Sequence, residues 1–233
     1  FYIKNQCDVL YNTCVRQILP DSRKVVLESG EEIPYDALCA ATGSTPFVPP
    51  IEGLESVLCK YSFLTLDDAL ALEKGVTKHS RVLIIGAGLI GLKCAEGLMG
   101  RVSSITVCDL ATRVLSSIMD DECASMMQRR MEVNGISFLL GDSAVRFERD
   151  TAIMKSGKKI EFDVLVLAVG VRPNVALLRD AGAKCGRGIL VDEHMCTSLK
   201  DIYSAGDCTE SLDVSCGTTK IMALLPNACM QGR

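Results

Sequence analysis

The sequence predicts an α/β fold, and three observations support this prediction. Strand-like and helix-like segments alternate through the middle of the chain. Residues 81–85 and 163–169 are short, continuous apolar runs, a pattern typical of strands buried on both faces of a parallel sheet. A glycine-rich turn at 86–91 joins the first of these runs to a helix-like segment. Together they indicate helices packed on a mainly parallel sheet.

The composition is that of an ordinary globular chain. Its 233 residues are 48% hydrophobic and 23% charged, with a formal net charge of −4. The length suits one large or two modest domains. The weak negative charge gives no electrostatic footprint for nucleic acid, and no apolar run approaches the roughly 20 residues that span a bilayer. We therefore expect neither a nucleic acid nor a membrane as partner.

Apolar runs and turn residues divide the first fifty residues into short strands. Residues 8–34 alternate strand-like segments with turns, and the apolar run 35–43 predicts a buried strand with a tight exit. Residues 46–50 contain three of the seven prolines and predict a stiff linker. We place a domain boundary at the end of this linker.

Helix and strand signals continue beyond the linker. Thr65 can cap a helix that runs to Gly75, and residues 120–134 form an amphipathic segment that Gly135 would end. Further strands are predicted at 104–108, 136–140, 143–148, 151–154 and 158–161.

The strongest functional pattern is the glycine-rich turn. It follows the run 81–85 and opens a helix predicted to end at Gly100. The next strand is followed by Asp109, which lies 18 residues after Gly91. A strand–turn–helix unit followed by an acidic residue is the context that a dinucleotide-binding turn requires. The cofactor-binding candidates in the turn are Gly86, Ala87, Gly88, Leu89, Ile90 and Gly91.

Each glycine of the turn has its own predicted role. Gly86 permits the tight turn, Gly88 lets the backbone approach a pyrophosphate, and Gly91 lets the helix pack close to the strand. The free N–H groups at the start of the helix would then bind the phosphates. The alternative is a plain strand–helix turn that binds nothing, which the surrounding context disfavours.

Asp109 and Arg113 bear on which dinucleotide is bound. The Asp109 carboxylate would accept hydrogen bonds from the adenosine ribose hydroxyls and would repel a 2′-phosphate, which favours NAD over NADP. Arg113, four residues later, would weaken that preference. We expect the cofactor to be NAD(H).

The chain contains 12 cysteines, and no two have Cys-x-x-Cys spacing. This disfavours zinc-ribbon, iron–sulfur and thioredoxin-like sites, and we predict no metal site. Cys39, Cys94 and Cys108 lie in apolar runs, so we expect the cysteines to be small buried hydrophobes in a reducing cytoplasm. Cys208 and Cys216 lie in a polar region and are expected to be partly exposed.

Four ordered motifs resemble the FAD-dependent pyridine nucleotide–disulfide oxidoreductases. The branch that they resemble includes NADH oxidases, coenzyme A–disulfide reductases, rubredoxin reductases and nitrite reductase flavin subunits. The resemblance covers nearly the whole chain. The motifs are residues 35–44, the glycine turn 86–91, the segment Ala168 to Asn174, and Thr197 followed by residues 202–207.

The resemblance implies a Rossmann-like NAD-binding domain inserted into a partial FAD-binding domain of the three-layer ββα type. The FAD segments are expected at 1–50 and 171–233, and the NAD(H) domain at 51–170. The chain has no initiator methionine and begins within strand-like sequence, so we expect a fragment of a longer protein. Its FAD-binding glycine fingerprint and any redox-active cysteine would lie upstream of Phe1.

The resemblance also implies cofactor-binding roles outside the glycine turn. The aspartate of the last motif would hydrogen-bond the ribityl chain of FAD. Residues 218–233 would form a closing helix, with Pro226 in its first turn and its N-terminus near the flavin. The candidates taken from these motifs are Ala41, Thr42, Gly43, Gly170, Gly206 and Asp207.

Lys93 departs from the family pattern, because members usually have a glutamate there, near the nicotinamide. Three interpretations stay open. Lys93 pairs with Glu96 on the helix surface, it faces the nicotinamide pocket opposite an upstream acid, or it weakens the use of NADH. We include Lys93 among the cofactor-binding candidates.

The implied function is transfer of hydride from NADH to FAD and then to an acceptor. That acceptor is a small disulfide, oxygen or a redox protein, and the parent enzyme could be a homodimer. No catalytic residue is identified, since His79 and His194 lack the spacing of an acid–base pair or of a metal site. The alternatives are a flavin monooxygenase-like or ferredoxin reductase-like enzyme, and a non-catalytic NAD(H)-binding module.

Overall fold

The computed structural model describes residues 2–233, so the expected strand-like start at Phe1 lies outside the described residues. The chain divides into two compact units. Unit 1 combines the segment up to Thr45 with Arg172–Arg233, and unit 2 is Pro46–Val171. The units divide within a few residues of the predicted domain boundaries, and their assignment to FAD and NAD domains stays a prediction.

Residues 2–233 alternate short strands with five α-helices. The helices are α1 (Leu66–Gly75), α2 (Leu89–Leu98), α3 (Asp121–Val133), α4 (Ala176–Asp180) and α5 (Leu225–Gln231). The strands are β1 (Val15–Leu19), β2 (Lys24–Leu27), β3 (Glu32–Pro34), β4 (Leu38–Ala40), β5 (Ser44–Pro46), β6 (Lys60–Ser62), β7 (Arg81–Ile85), β8 (Ser104–Asp109), β9 (Ile136–Leu140), β10 (Ala144–Glu148), β11 (Thr151–Met154), β12 (Lys159–Glu161), β13 (Val164–Leu167), β14 (Val171–Pro173), β15 (Ile189–Leu190), β16 (Ile202–Ser204), β17 (Thr209–Asp213) and β18 (Thr218–Lys220).

A five-stranded parallel sheet forms the centre of unit 2, in the order β6-β13-β7-β8-β9. Its inner strands β7 and β13 are almost wholly apolar, because both faces of the sheet are covered. Leu83, Ile84, Leu165 and Val166 have no exposed surface. Burial of each such side chain stabilises the fold by about 1.5–3 kcal/mol.

Helices cover one face of this sheet, and a second, antiparallel sheet covers the other. Leu72 of α1, Leu98 of α2 and Met131 of α3 share a core with alternate residues of the central strands. On the opposite face, the sheet β10-β11-β12 contributes a core that contains Phe147 and Phe162, which meet edge to face. Unit 2 therefore has three layers, and the glycine-rich turn lies at the carboxyl end of its parallel sheet.

Two helices of unit 2 begin at side-chain caps. The Thr65 hydroxyl accepts a hydrogen bond from the Asp68 N–H at 3.1 Å, and the Asp68 carboxylate accepts one from the Thr65 N–H at 2.9 Å. This reciprocal capping box confirms the predicted start of α1. Asp120 caps α3 by accepting a hydrogen bond from the Cys123 N–H at 2.8 Å.

Unit 1 contains smaller sheets around a separate core. β1-β2-β3 form an antiparallel sheet, β15 pairs with β17 and β17 with β18, and β4 pairs in parallel with β16. Ile18, Leu178, Ile189 and Ile202 lie in the core that these elements and α4 share. Among residues 2–233 the structure has no helix with both the length and the apolar character that a membrane crossing needs.

The predicted burial of the cysteines is wrong for most of them. Cys94 and Cys108 are buried as expected, but seven of the 12 thiols are exposed. Cys39 is one of the exposed thiols, because neighbouring side chains alternate along β4 and Ala40 takes the core position. Cys208 is buried rather than partly exposed, since it turns inward and its thiol lies 3.4 Å from the Ser204 hydroxyl. Cys216 is exposed, as predicted.

The closing helix is shorter than predicted. Thr218–Lys220 form strand β18, paired antiparallel with β17, and α5 begins only at Leu225. The run of two threonines and a lysine suits an exposed edge strand better than a helix. Pro226 lies in the first turn of α5, as predicted.

Candidate cofactor site

The glycine turn follows β7 and leads directly into α2. Gly86 has a φ of +113°, and a Cβ there would collide with the carbonyl oxygen of Ala168. A Cβ at Gly91 would collide with the carbonyl oxygen of Gly86. These two positions require glycine, one for its backbone conformation and one for the close contact between helix and turn.

Gly88 differs from both, because a Cβ there would meet nothing within 4 Å. Gly88 is the N-cap of α2, and no side chain of the described residues caps this end of the helix. The first N–H groups of α2 therefore lack helical partners at the positive end of a ten-residue helix. An open space beside unpaired N–H groups fits the pyrophosphate of a dinucleotide.

Both the N–H and the carbonyl group of Ala87 form hydrogen bonds. Its N–H donates to Oδ2 of Asp109 at 2.6 Å, and its carbonyl oxygen accepts from the Leu115 N–H at 2.9 Å. The other Asp109 oxygen, Oδ1, accepts from the Ala111 N–H at 2.8 Å. The loop after β8 therefore fixes the middle of the glycine turn. The role of Leu115 was not predicted, since its left-handed backbone (φ +51°) has no sequence signature in a leucine.

Asp109 thus lies beside the turn, where its predicted ribose role requires it. Each carboxylate oxygen keeps a second lone pair after accepting one N–H, so a ribose hydroxyl can still donate to it. Leu89 is exposed, and Ile90 is half-buried against the helix-side core. The residues present fit an NAD(H) molecule, and their assignment to cofactor binding stays a prediction.

Two basic candidates near the turn have local partners. Lys93 donates to Glu96 at 2.8 Å on the exposed surface of α2, which is the first of its three interpretations. Arg113 donates to the Asp121 carboxylate at 2.9 Å and to the Ser116 carbonyl at 3.2 Å. The two guanidinium nitrogens that make these bonds are therefore held by the first turn of α3 and by the loop that follows β8.

The thiols buried near the turn are not nucleophiles. Burial raises the pKa of Cys94 to about 12. Burial, together with the charges of Asp142 and Asp109, also raises the pKa of Cys108 to about 12. Both are protonated thiols at neutral pH, so neither supplies a reactive thiolate. Among residues 2–233, no group of three or more His, Cys, Asp or Glu side chains could hold a metal ion.

A second candidate group lies in unit 1, around Asp207. Oδ2 of Asp207 accepts a hydrogen bond from the Ser44 hydroxyl at 3.0 Å. Gly206 has a φ of +83°, and its N–H donates to the side-chain oxygen of Gln231 at 2.8 Å. Ser44 and Gln231 therefore hold the carboxylate and the turn that carries it. Neither residue has a predicted role, since their partners are distant in the chain.

Asp207 is only half-buried, and the described residues give its Oδ1 no hydrogen-bond partner. A carboxylate with one oxygen held and the other open can accept a hydrogen bond from a hydroxyl. Asp207 thus fits the predicted contact with the FAD ribityl chain. That contact remains a prediction.

The remaining candidates lie where the chain passes between the units. In unit 1, the Thr42 hydroxyl donates to the Asn174 carbonyl at 2.6 Å, and the Asn174 side-chain amide donates to the Thr42 carbonyl at 2.9 Å. The Asn174 N–H also donates to the Gly43 carbonyl at 2.9 Å. In unit 2, the Gly170 carbonyl accepts from the N–H of Phe47 at 2.9 Å. Ala41 is exposed, and no contact within residues 2–233 assigns it a role.

Comparison with known proteins identifies the family. The family model "Pyridine nucleotide-disulphide oxidoreductase" matches residues 2–232. The NADH oxidase of Methanocaldococcus jannaschii is 35% identical over 97% of this chain and 52% of its own length. The rubredoxin-NAD(+) reductase of Pseudomonas putida is 28% identical over 100% of this chain and 62% of its own length.

Solved structures agree with the fold prediction. The NAD-dependent persulfide reductase from A. fulgidus matches with a TM-score of 0.91 and 31% identity, over 100% of this chain and 45% of the other. The chain spans about half the length of the curated relatives it matches. Both the predicted α/β class and its Rossmann-like sheet are confirmed. The chain belongs to the FAD-dependent pyridine nucleotide-disulphide oxidoreductase family.

Proposed function

We propose that the whole protein is an FAD-dependent oxidoreductase that takes hydride from NADH and passes the electrons to an acceptor. The observation that carries this proposal is the open N-terminus of α2 at Gly88, with Asp109 beside it. The N–H groups of that helix end would bind the pyrophosphate, and Asp109 would accept the ribose hydroxyls. The charge on Asp109 favours NADH over NADPH.

The residues of unit 1 would bind the flavin. Asp207, held by Ser44, would accept a ribityl hydroxyl, and Gln231 would keep the Gly206 turn in place. FAD, when bound, would supply the hydride acceptor and the onward electron transfer. The contribution of the chain's own residues is binding and orientation, which is why no side chain is assigned as catalytic.

The electron acceptor is a disulfide, oxygen or a redox protein. The relatives that support these classes are named as an NADH oxidase, a rubredoxin reductase and a persulfide reductase. We place the protein in the cytoplasm, where NADH is available and unpaired thiols such as the exposed Cys216 stay reduced. Homodimer formation is part of the proposal and is tested by light scattering.

The proposal is tested on the protein expressed from its complete gene. We expect a yellow protein that oxidises NADH in stopped-flow measurements and prefers NADH to NADPH. Assays under air and under nitrogen, with a disulfide or a rubredoxin added, identify the acceptor. A colourless protein without NADH oxidation contradicts the proposal. Oxygen incorporated into an organic product would favour the flavin monooxygenase-like alternative.

No observation favours the non-catalytic alternative. A non-catalytic module would require Lys93 to weaken the use of NADH, but Lys93 forms an ordinary surface pair with Glu96. Both side chains are more than half exposed, so the pair contributes little to stability or binding.

A further inference from the structure

Arg113 is a cation on the loop that follows Asp109, and its guanidinium contacts one carboxylate and interacts by charge with a second. Nη1 donates to Asp121, in the first turn of α3, and Nη2 donates to the Ser116 carbonyl. Arg113 also helps to lower the pKa of Asp120, whose largest cause is the hydrogen bond from the Cys123 N–H. Arg113 is therefore neutralised by carboxylates at the start of α3.

Asp121 is not needed to cap the helix. The capping bond to the Cys123 N–H comes from Asp120, the residue before it. The one side-chain partner found for Asp121 in residues 2–233 is Arg113. The role of this carboxylate must therefore be sought in what it does to Arg113.

The chemical difference between NADH and NADPH points to a role for the contact between Arg113 and Asp121. NADPH differs from NADH by a phosphate on the 2′ oxygen of the adenosine ribose. Recognising it takes a cation, and an arginine can bind phosphate oxygens with two parallel hydrogen bonds. Arg113 lies four residues beyond the proposed ribose ligand Asp109, and its end groups are occupied by Asp121 and Ser116.

We propose that Asp121 determines nucleotide specificity by holding Arg113 away from the 2′ position of the ribose. This rests on the proposed function, since it requires the adenosine ribose to bind at Asp109. Asp109 repels a 2′-phosphate directly. Asp121 acts indirectly, as a positioning residue, through its ion pair with Arg113. The exposed ion pair between Arg113 and Asp121 thus contributes to the discrimination against NADPH.

The guanidinium has a reason to move once Asp121 is neutral. Its Nε–H is buried and has no hydrogen-bond partner in the described part of the chain, an unfavourable state for a donor. The ion pair itself is weak, because the Arg113 and Asp121 side chains are 39% and 89% exposed. Removing the acid should therefore release the arginine for a phosphate at small cost.

The test measures binding of NADH and NADPH to the protein expressed from its complete gene, by titration calorimetry at fixed ionic strength. For Asp121→Asn we expect NADPH affinity to rise about three- to fivefold, the scale of an exposed ion pair, while NADH affinity changes less than about twofold. Glu122→Gln is the matched control. It removes the same charge from the same helical turn, and the structure gives it no contact with Arg113.

A double variant separates the mechanism from a general change in charge. Combining Asp121→Asn with Arg113→Ala should abolish the gain in NADPH affinity. Circular dichroism melting checks that α3 still forms, which Asp120 should ensure in both variants. Persistence of the gain without Arg113 would overturn the proposal.

The outcomes distinguish this proposal from the proposed function. If the natural chain binds no NADH, the nucleotide site is wrong and this proposal falls with it. If NADH binds normally but Asp121→Asn leaves NADPH affinity unchanged, only the role of Asp121 is overturned. An equal gain in Glu122→Gln would also overturn it, because charge alone would then explain the result.

Discussion

The glycine turn of unit 2 and the Gly206–Asp207 turn of unit 1 use opposite chemistry. Both follow a parallel strand, and both begin with a glycine at positive φ. The first presents backbone N–H groups, suited to an anion, and backbone groups and one carboxylate hold it. The second presents a carboxylate, suited to hydroxyls, and the side chains of Ser44 and Gln231 hold it.

The difference shows where each recognition function is encoded. The glycine turn is defined by residues within a short stretch, so it can be read from the sequence pattern. The Asp207 turn depends on Ser44, 163 residues earlier in the chain, and on Gln231 from α5. We therefore expect the first turn to be sensitive to backbone crowding and the second to the loss of single side chains.

The largest expected effect comes from Gly91→Ala. A Cβ there collides with the Gly86 carbonyl, so either the turn or α2 must move. We expect a loss of about 2–3 kcal/mol in the free energy of unfolding and no detectable NADH binding. Urea unfolding and titration calorimetry measure the two quantities.

Gly97→Ala is the control for Gly91→Ala. Gly97 also lies in α2, but a Cβ there meets nothing within 4 Å. We expect this variant to be more stable by about 0.5–1 kcal/mol, because alanine favours helix, with NADH binding intact. Equal behaviour of the two variants would contradict the close-packing explanation for Gly91.

The next effect is expected at Asp109. Asp109→Ala removes the acceptor for the Ala87 N–H and the proposed ribose ligand together, so NADH affinity should fall by about 10- to 100-fold. Asp109→Asn keeps one acceptor oxygen at the same place and should lose less. If both variants bind NADH as the natural chain does, Asp109 is not a ribose ligand.

A smaller effect is expected at Ser44. Ser44→Ala removes one hydrogen bond to the Asp207 carboxylate, so flavin affinity should fall by about three- to tenfold in the full-length protein. Ser44→Thr keeps the hydroxyl and should restore binding. Ser22→Ala, an exposed serine of unit 1, is the control. Flavin release followed by fluorescence gives the measurement, and an unchanged Ser44→Ala protein would remove Ser44 from the flavin contacts.

The smallest effect concerns acid stability, through Asp142. This buried carboxylate accepts hydrogen bonds from the Ser156 hydroxyl and from the Ser143 and Ser156 N–H groups, which lower its pKa. A lowered folded-state pKa stabilises the fold above the ordinary value of about 4, and that stability is lost as the pH falls through the lowered pKa. Its own N–H donates to the Asp109 carbonyl, so Asp142 also supports the frame of the glycine turn.

We therefore expect Asp142→Asn to unfold at lower urea concentration at neutral pH. Its unfolding midpoint should also change less than that of the natural chain between about pH 5 and about pH 3. Asp150→Asn, at an exposed position near the same antiparallel sheet, is the control. Parallel pH curves for the natural chain and Asp142→Asn would contradict the assignment.

Local patterns made much of unit 2 predictable. The caps Thr65 and Asp120 and the apolar strand 81–85 depend on residues near in sequence, and Gly91 packs against Gly86 within the same turn. The exposure of Cys39 was not predictable, because an apolar run does not reveal which strands pair with it. The hydrogen bond from the Leu115 N–H to the Ala87 carbonyl was not predictable either, since only the three-dimensional fold brings that loop back to the turn.

The hydrogen bonds at the crossings between the units have a consequence for protein engineering. Gly43 and Asn174 are bonded neighbours in unit 1, and Phe47 and Gly170 are bonded neighbours in unit 2. At the crossings, the two chain segments of each unit therefore lie next to each other. A gene that joins residue 44 to residue 173 through two or three glycines would delete unit 2 without spanning a gap. By the same logic unit 2 could be transplanted as a cassette into a surface turn of another scaffold.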